Sequence, residues 1–134
     1  MSDIDTLART IWGEARGEGY TGMRAIAHVI LNRVASPGWW GRDIETVCKM
    51  PQQFSCWNRA DPNRPLLDVV TPSNKTFALA LATAAQAIAG EPDPTSGATN
   101  YHTIQRPAWA GEWPPSWAAK MRQTTAIGKH VFYK

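Results

Sequence analysis

One acidic residue near the N-terminus stands where a carboxyl group could act as an acid catalyst. Apolar side chains recur at helical spacing along residues 3–16, and on a helical wheel Glu14 lies next to Leu7 at the margin of that apolar stripe. Partial burial at such a margin disfavours the carboxylate and raises its pKa. A carboxyl group that keeps its proton near neutral pH can donate it to a leaving oxygen, as cleavage of a glycosidic bond requires.

The neighbours of Glu14 refine this hypothesis. Arg16 is roughly 200° around the wheel and is expected to point away, so that it does not neutralise the carboxylate. Gly13 is expected to leave room for a substrate. Glu18 follows Gly17, which is expected to end the helix, and a structural role at the turn is expected for it. On pattern alone, a helix-edge glutamate paired with a Lys or Arg is the commoner arrangement.

The remaining pattern predicts the elements that must position this carboxyl group. Apolar spacing and stop signals predict helices at residues 3–16, 21–35, 43–49, 73–89 and 116–124. Residues 51–72 read as a loop, and residues 99–103 as a short extended piece. The length suits one domain over 1–134. We therefore expect a mainly α single catalytic domain with long loops and little or no β-structure.

Composition limits the partners. The net charge of +3 and the pI of about 9.1 suit an anionic polymer, and equally an ordinary soluble surface. No basic run indicates nucleic-acid binding, and no apolar stretch is long enough to predict membrane insertion. Residues 1–5 lack the basic start of a secretory signal, so synthesis in the cytoplasm without a signal peptide is expected. We expect a monomer.

Aromatic and sulfur-containing residues leave alternatives open. The chain has seven tryptophans, and those of its loops could be a platform for sugar rings or caps on the core, namely Trp39, Trp40, Trp109, Trp113 and Trp117. Cys48 and Cys56 could form a local disulfide or be two reduced, buried thiols. A Cys-His peptidase that used either thiol is a minor alternative.

Two further functions compete with a glycosidase. A zinc amidase needs converging ligands, but His28, His102 and His130 are the only histidines and there is no HExxH, so no metal and no cofactor are expected. A non-catalytic glycan-binding module would explain the tryptophans and the basic charge. It would not need Glu14 at the edge of a buried stripe.

Five ordered motifs add a family resemblance that spans nearly the whole chain. They are Trp12–Glu18 (WGEARGE), Ala27–Arg33 (AHVILNR), Gln53–Trp57 (QFSCW), Gly97–His102 (GATNYH) and Ile127–Tyr133 (IGKHVFY). The set resembles the SleB-type cell wall hydrolases, a family that includes spore cortex-lytic enzymes and many phage endolysins.

The resemblance implies a lysozyme-like fold and cleavage of peptidoglycan. Its catalytic acid would be Glu14, the first glutamate of the signature. Spore members are lytic transglycosylases that act at the N-acetylmuramic acid to N-acetylglucosamine bond: the muramic 6-hydroxyl attacks the anomeric carbon and leaves a 1,6-anhydro ring. That chemistry needs no second carboxylate, whereas a hydrolytic muramidase would need one, and Glu18 would be the first candidate.

The resemblance also suggests substrate contacts and a biological setting. His102 stands where many family members carry a tyrosine, which makes its role the least defined. A setting as a phage endolysin, released from the host cytoplasm to act in the periplasm or cell wall, is expected. The residues expected to bind substrate are Glu18, Gln53, Phe54, Ser55, Trp57, Tyr101, His102 and Tyr133.

Overall fold

The computed structural model describes residues 1–134 and confirms a mainly α architecture, to which a small antiparallel sheet is added. The helices are α1 (Asp3–Ala15), α2 (Gly19–Ala35), α3 (Ile44–Lys49), α4 (Arg64–Val69) and α5 (Lys75–Ile88). The strands are β1 (Asn100–Thr103), β2 (Gln123–Ile127) and β3 (His130–Tyr133). Short 3₁₀ turns cover Arg16–Glu18, Ser55–Trp57 and Ser116–Lys120.

The main core lies where α1 packs against α2 and α5. The Ser2 hydroxyl accepts a hydrogen bond from the Asp5 amide at 3.1 Å and caps α1. The predicted stripe of that helix is fully buried at Leu7 and Ile11. From α5, Phe77 meets the Trp12 ring edge-on at 6.1 Å between ring centroids. Burial of each such side chain contributes about 1.5–3 kcal/mol, which fixes the helix that carries Glu14.

A second, smaller core joins the sheet to α2. The strand order is β1-β3-β2, with both pairs antiparallel, and Tyr101 lies opposite Phe132. Phe132 packs with Ala25 and Val29 of α2. The sheet is thus held against the same helical body as α1.

The helix predicted at 116–124 is wrong beyond its first turn. Only the 3₁₀ turn Ser116–Lys120 forms, and Gln123–Ile127 is strand β2. The β-branched residues Thr124 and Thr125 suit a strand, and pairing with β3 outweighs a marginal helix. The segment predicted as loop at 51–72 contains α4, whereas the extended piece predicted at 99–103 is confirmed as β1.

No helix of the fold has both the length and the apolar character that crossing a bilayer demands.

Candidate active site

Glu14 lies in the last turn of α1, half-buried and without an ion pair. The backbone N–H of Cys56 donates to Glu14 Oε1 at 3.4 Å. Burial raises the pKa of Glu14, donors on Cys56 partly offset that rise, and the negative charge of Asp61 adds to it. The side chain therefore favours the protonated acid more than a solvent-exposed glutamate does.

The cation nearest to Glu14 in sequence is engaged elsewhere. The Arg16 guanidinium donates to the carbonyl oxygens of Trp12 and Gly13 at 3.2 and 3.3 Å, and to Asn63 Oδ1 at 2.7 Å. It also lies 4.4 Å from the centre of the Trp12 ring. Arg16 thus leaves Glu14 unpaired, as the helical wheel predicts.

The expectation that Gly13 leaves room for a substrate is wrong. A Cβ at this position would lie 2.8 Å from Cys56 Cβ, 2.9 Å from Cys56 Sγ and 3.0 Å from Leu67 Cδ1. The space beside Gly13 is therefore occupied by protein. The glycine lets the Cys56 segment approach α1 closely, which brings the Cys56 amide within reach of Glu14.

Three clefts share lining residues, and we call the surface that they form together the aromatic groove. The first, of about 470 Å³, is lined by Trp109, Trp113, His130 and their neighbours. A cleft of about 220 Å³ in the middle includes Arg33 and Phe54, and one of about 400 Å³ lies beyond it. Trp117 borders all three clefts.

Tyr101 connects Glu14 with the aromatic groove. Glu14 does not line any of the three clefts, whereas Tyr101 lines the first and the middle one. Burial raises the pKa of the Tyr101 hydroxyl, and the negative charge of Glu14 raises it further. Phe54 lines the middle cleft two residues before Cys56, which contacts Glu14. Glu14 thus lies against the segment that supplies Phe54 to the middle cleft, without lining the groove itself.

Glu18 lies beside His130. His130 Nδ1 and Glu18 Oε1 are 3.1 Å apart, and the two side chains are only 13% and 17% exposed. The His130 ring packs edge-on against Tyr101, at 5.2 Å between ring centroids. Glu18 therefore contributes to the groove through His130.

His102 and Tyr133 form a hydrogen-bonded aromatic cluster beneath the first cleft. His102 Nε2 and the Tyr133 hydroxyl are 2.8 Å apart, and His102 Nδ1 is 2.8 Å from the Thr103 carbonyl oxygen. The rings of Trp113 and Trp117 lie 5.4 and 5.8 Å from the His102 ring. Both ring nitrogens of His102 are occupied, so His102 supports the wall of the cleft.

The QFSCW segment is divided between groove and core. Gln53 lines the middle cleft and accepts a hydrogen bond from Arg33 Nη1 at 3.3 Å, whereas Ser55 is exposed. Trp57 is buried, and its indole Nε1–H donates to Thr10 Oγ1 at 2.9 Å. The structure therefore places Trp57 in the core, away from the aromatic groove.

Sequence reasoning missed three residues at the site. Arg33 is 5% exposed and donates to the Thr99 carbonyl oxygen at 2.7 Å, which ties α2 to the start of β1. Asn100 lines the middle cleft, and Asp61 lies near enough to influence Glu14. Arg33 and Asn100 stand inside two of the resembling motifs, which was an available signal. Asp61 had none.

The thiols and the metal-binding groups bear on the alternatives. Cys48 and Cys56 are free and buried, and burial raises the pKa of Cys48 to about 12 and that of Cys56 still further. Since thiolates are the nucleophilic form, neither thiol has the character of a catalytic nucleophile. No three His, Cys, Asp or Glu side chains converge in a way that could hold a metal ion.

The sequence of this chain is similar to those of known proteins. The family model for cell wall hydrolases matches residues 17–133. The spore cortex-lytic enzyme of Halalkalibacterium halodurans is 34% identical over 131 residues, which are 98% of this chain and 34% of that enzyme. The chain thus spans about a third of the length of that curated relative.

Two solved structures share its fold. The catalytic domain of the Bacillus cereus SleB protein matches with a TM-score of 0.74 and 32% identity, over 98% of this chain and 89% of that one. The catalytic domain of the germination-specific lytic transglycosylase SleB from Bacillus anthracis matches with a TM-score of 0.73 and 33% identity, over 100% and 97%. By sequence and by fold, the chain belongs to the cell wall hydrolase family.

Proposed function

We propose that this chain cleaves the glycan strands of peptidoglycan as a lytic transglycosylase, with Glu14 as the general acid. The observation that carries the proposal is a half-buried carboxyl group with a raised pKa and no ion pair, held against the segment that supplies Phe54 to a groove lined by aromatic rings. Aromatic faces suit the apolar faces of sugar rings. The net charge of +3 also suits an anionic wall polymer.

The proposed reaction needs one proton donor and one internal nucleophile. Glu14 donates its proton to the glycosidic oxygen, and the bond from that oxygen to the anomeric carbon breaks. The muramic 6-hydroxyl oxygen then bonds to the anomeric carbon and loses its proton to the Glu14 carboxylate, which gives the 1,6-anhydro ring and restores the acid. A lytic transglycosylase is also the named activity of the similar Bacillus anthracis domain.

Product analysis with Glu14→Gln tests the proposal. Glutamine keeps the size of the side chain but cannot donate an acidic proton. We expect purified peptidoglycan to release 1,6-anhydromuropeptides with the wild type, detected by mass spectrometry, and none with Glu14→Gln. Retained cleavage in that variant would refute the role of Glu14. Glycan binding without any cleavage by the wild type would instead indicate a binding module.

Asp61 supports a muramidase as a second candidate. Its charge contributes to the raised pKa of Glu14, so a second carboxylate is within electrostatic reach of the acid. Asp61 Oδ1 already accepts the Asn63 backbone N–H at 2.8 Å, which fixes its orientation. Hydrated reducing ends as the only products, lost in Asp61→Asn, would establish hydrolysis in place of transglycosylation.

The biological setting is a separate proposal. We propose a phage endolysin that acts on the cell wall, since the family it resembles includes such enzymes, whereas the similar enzyme of Halalkalibacterium halodurans is named for the spore cortex. Sacculi of vegetative cells and isolated spore cortex distinguish the two settings. Digestion of vegetative sacculi is expected for an endolysin, and digestion of cortex alone would contradict that setting.

A further inference from the structure

Arg33 is a buried cation that the protein leaves without a counterion. It is 5% exposed and is the only arginine or lysine among the buried residues. No aspartate or glutamate pairs with it, whereas the half-buried Arg9 pairs with Asp5 at 2.9 Å. A buried charge is costly unless an opposite charge accompanies it. Arg33 therefore indicates a site whose anion comes from outside the protein.

The guanidinium of Arg33 keeps donors beyond those that hold the fold. Its Nε donates to the Thr99 carbonyl oxygen at 2.7 Å and its Nη1 to Gln53 Oε1 at 3.3 Å, which uses two of the five N–H donors of an arginine. Trp12 Nε1 is the only sealed side-chain nitrogen or oxygen without a partner. Arg33 Nη2, which has no hydrogen bond either, is therefore accessible, and Arg33 lines the middle cleft.

The middle cleft surrounds this cation with further donors. No aspartate or glutamate lines it. Gln53 turns its amide oxygen to Arg33, and its amide nitrogen has one long contact, 3.5 Å to the Gln52 carbonyl oxygen. The amide oxygen of Asn100 accepts from the Thr99 hydroxyl at 3.0 Å, which leaves its amide nitrogen without a partner. Two amide groups beside a guanidinium suit a carboxylate, which arginine binds through short, charge-assisted hydrogen bonds.

The middle cleft has the size of a substituent of a larger ligand. Its volume is about 220 Å³, whereas pockets for whole ligands measure roughly 300–1,000 Å³. The other two clefts of the groove, of about 470 and 400 Å³, are in that range. The rings of Trp40 and Phe54 lie 5.3 and 5.6 Å from the guanidinium carbon of Arg33 and fix its position. A glycan strand in the larger clefts would thus present one side group to a fixed cation.

Resting on the proposed function, we infer that the middle cleft is a carboxylate-binding subsite, in which Arg33, Gln53 and Asn100 hold an acidic group carried by a muramic acid of the glycan strand. The acid of muramic acid is its lactyl group. In strands without peptides this group is a free carboxylate. In the other strands it is amide-linked to a stem peptide, which has carboxylates of its own.

The subsite sets the register of the strand. N-acetylglucosamine has no acidic group, so only the muramic acid of each disaccharide can satisfy Arg33. Phe54 of the same cleft stands two residues before Cys56, whose backbone N–H donates to Glu14. The sugar that is held at Arg33 therefore selects which of the two alternating glycosidic bonds lies near the acid.

Affinity for strands with and without their carboxylates tests the inference. Soluble glycan strands are compared before and after a carbodiimide has coupled their carboxylates to methylamine. Binding is measured by titration calorimetry in a Glu14→Gln background, in which the strands stay intact. Hydrogen bonds to charged groups are the stronger ones, so charged strands should bind about 10–100-fold more tightly than neutralised strands. Arg33→Gln should bind both forms equally.

Three further variants keep the test decisive if Arg33→Gln folds poorly. Asn100→Asp keeps the size of the side chain and supplies Arg33 with a carboxylate, so it should remove the preference for charged strands. Asn58→Asp adds the same charge at an exposed position outside the groove and should keep the preference. Arg9→Gln removes an arginine that also donates to backbone carbonyl oxygens, and it should keep the preference as well.

Two strand preparations identify the source of the carboxylate. Strands stripped by an amidase carry the lactyl carboxylate alone, whereas fully substituted strands carry only stem-peptide carboxylates. A preference on stripped strands assigns the lactyl group, and a preference on substituted strands alone assigns the stem peptide.

Equal affinity for charged and neutralised strands in both preparations would overturn the inference. A preference that survives in full in Arg33→Gln or Asn100→Asp would do the same. A wild type that shows the preference but cleaves no strand would instead refute the proposed function and leave the carboxylate-binding subsite supported.

Discussion

Gly13 is where α1 touches the Cys56 segment, and a Gly13→Ala variant would place a methyl group in occupied space. The three nearest atoms belong to Cys56 and Leu67 and would lie 2.8–3.0 Å from the new Cβ. Carbon atoms in good contact stay about 3.5–4.0 Å apart. Overpacking of this kind costs about 1–3 kcal/mol. The higher helix propensity of alanine stabilises the helix by about 1 kcal/mol relative to glycine.

Because the clash involves two separate elements, we place the cost in the upper part of that range. A net loss of about 1–2 kcal/mol in the free energy of unfolding is therefore expected. With a urea m-value of about 2 kcal/mol per M, the middle of the usual range, the unfolding midpoint should fall by roughly 0.5–1 M. Turnover should fall as well, because the displaced Cys56 amide no longer bonds to Glu14.

Gly17→Ala is the matched control for this prediction. A Cβ at Gly17 would meet nothing within 4 Å, and the residue is exposed. Its free energy of unfolding should stay within about 0.5 kcal/mol of the wild-type value, as for ordinary surface substitutions. Equal midpoints for Gly13→Ala and Gly17→Ala would refute the reasoning that close packing at Gly13 sets the position of the Cys56 segment.

Two further predictions concern the residues packed around α1. Glu14 acts as an acid only while it is protonated, so the rate should fall as pH rises through its raised pKa. The Cys56 thiol stabilises the carboxylate form, so Cys56→Ala should move this alkaline limb of the pH–rate profile to higher pH. Cys56→Ser introduces a stronger donor and should move the limb to lower pH. A pH–rate profile in which both variants move the limb in the same direction would contradict that role. Trp57→Phe removes the indole donor to Thr10 and should destabilise the fold by about 1–3 kcal/mol in urea titration with KM unchanged, whereas an increase in KM on stable protein would place Trp57 in the substrate site.

The helices and the acid could be predicted because their signals are local. The burial of Leu7 and Ile11 follows from a repeat within α1, and the same wheel places Glu14 at the stripe margin and turns Arg16 away. Partial burial and a raised pKa at Glu14 follow from that geometry. These features depend on residues no more than two helical turns apart.

The groove could not be predicted in the same way because its walls meet only in the folded chain. Arg33 donates to the carbonyl oxygen of Thr99, 66 positions away. Gln53, from a different segment, accepts a hydrogen bond from Arg33 of α2 in the middle cleft. The tryptophan content is compatible with sugar binding and with core packing, and nothing in the spacing distinguishes Trp57, which supports the core, from Trp117, which borders all three clefts.

The sheet, which the sequence pattern predicted least well, decides whether the site can form. Side chains alternate between the faces of a strand, so the pairing of Tyr101 with Phe132 and of Thr103 with His130 puts Tyr101, His130 and Phe132 on one face. Their ring centroids lie 5.2–6.3 Å apart, and Phe132 anchors that face on α2. A one-residue slip of β3 would turn His130 to the opposite face and away from Glu18. The strands therefore bring Tyr101 and His130 to the wall of the first cleft, while α1 positions Glu14 against the Cys56 segment.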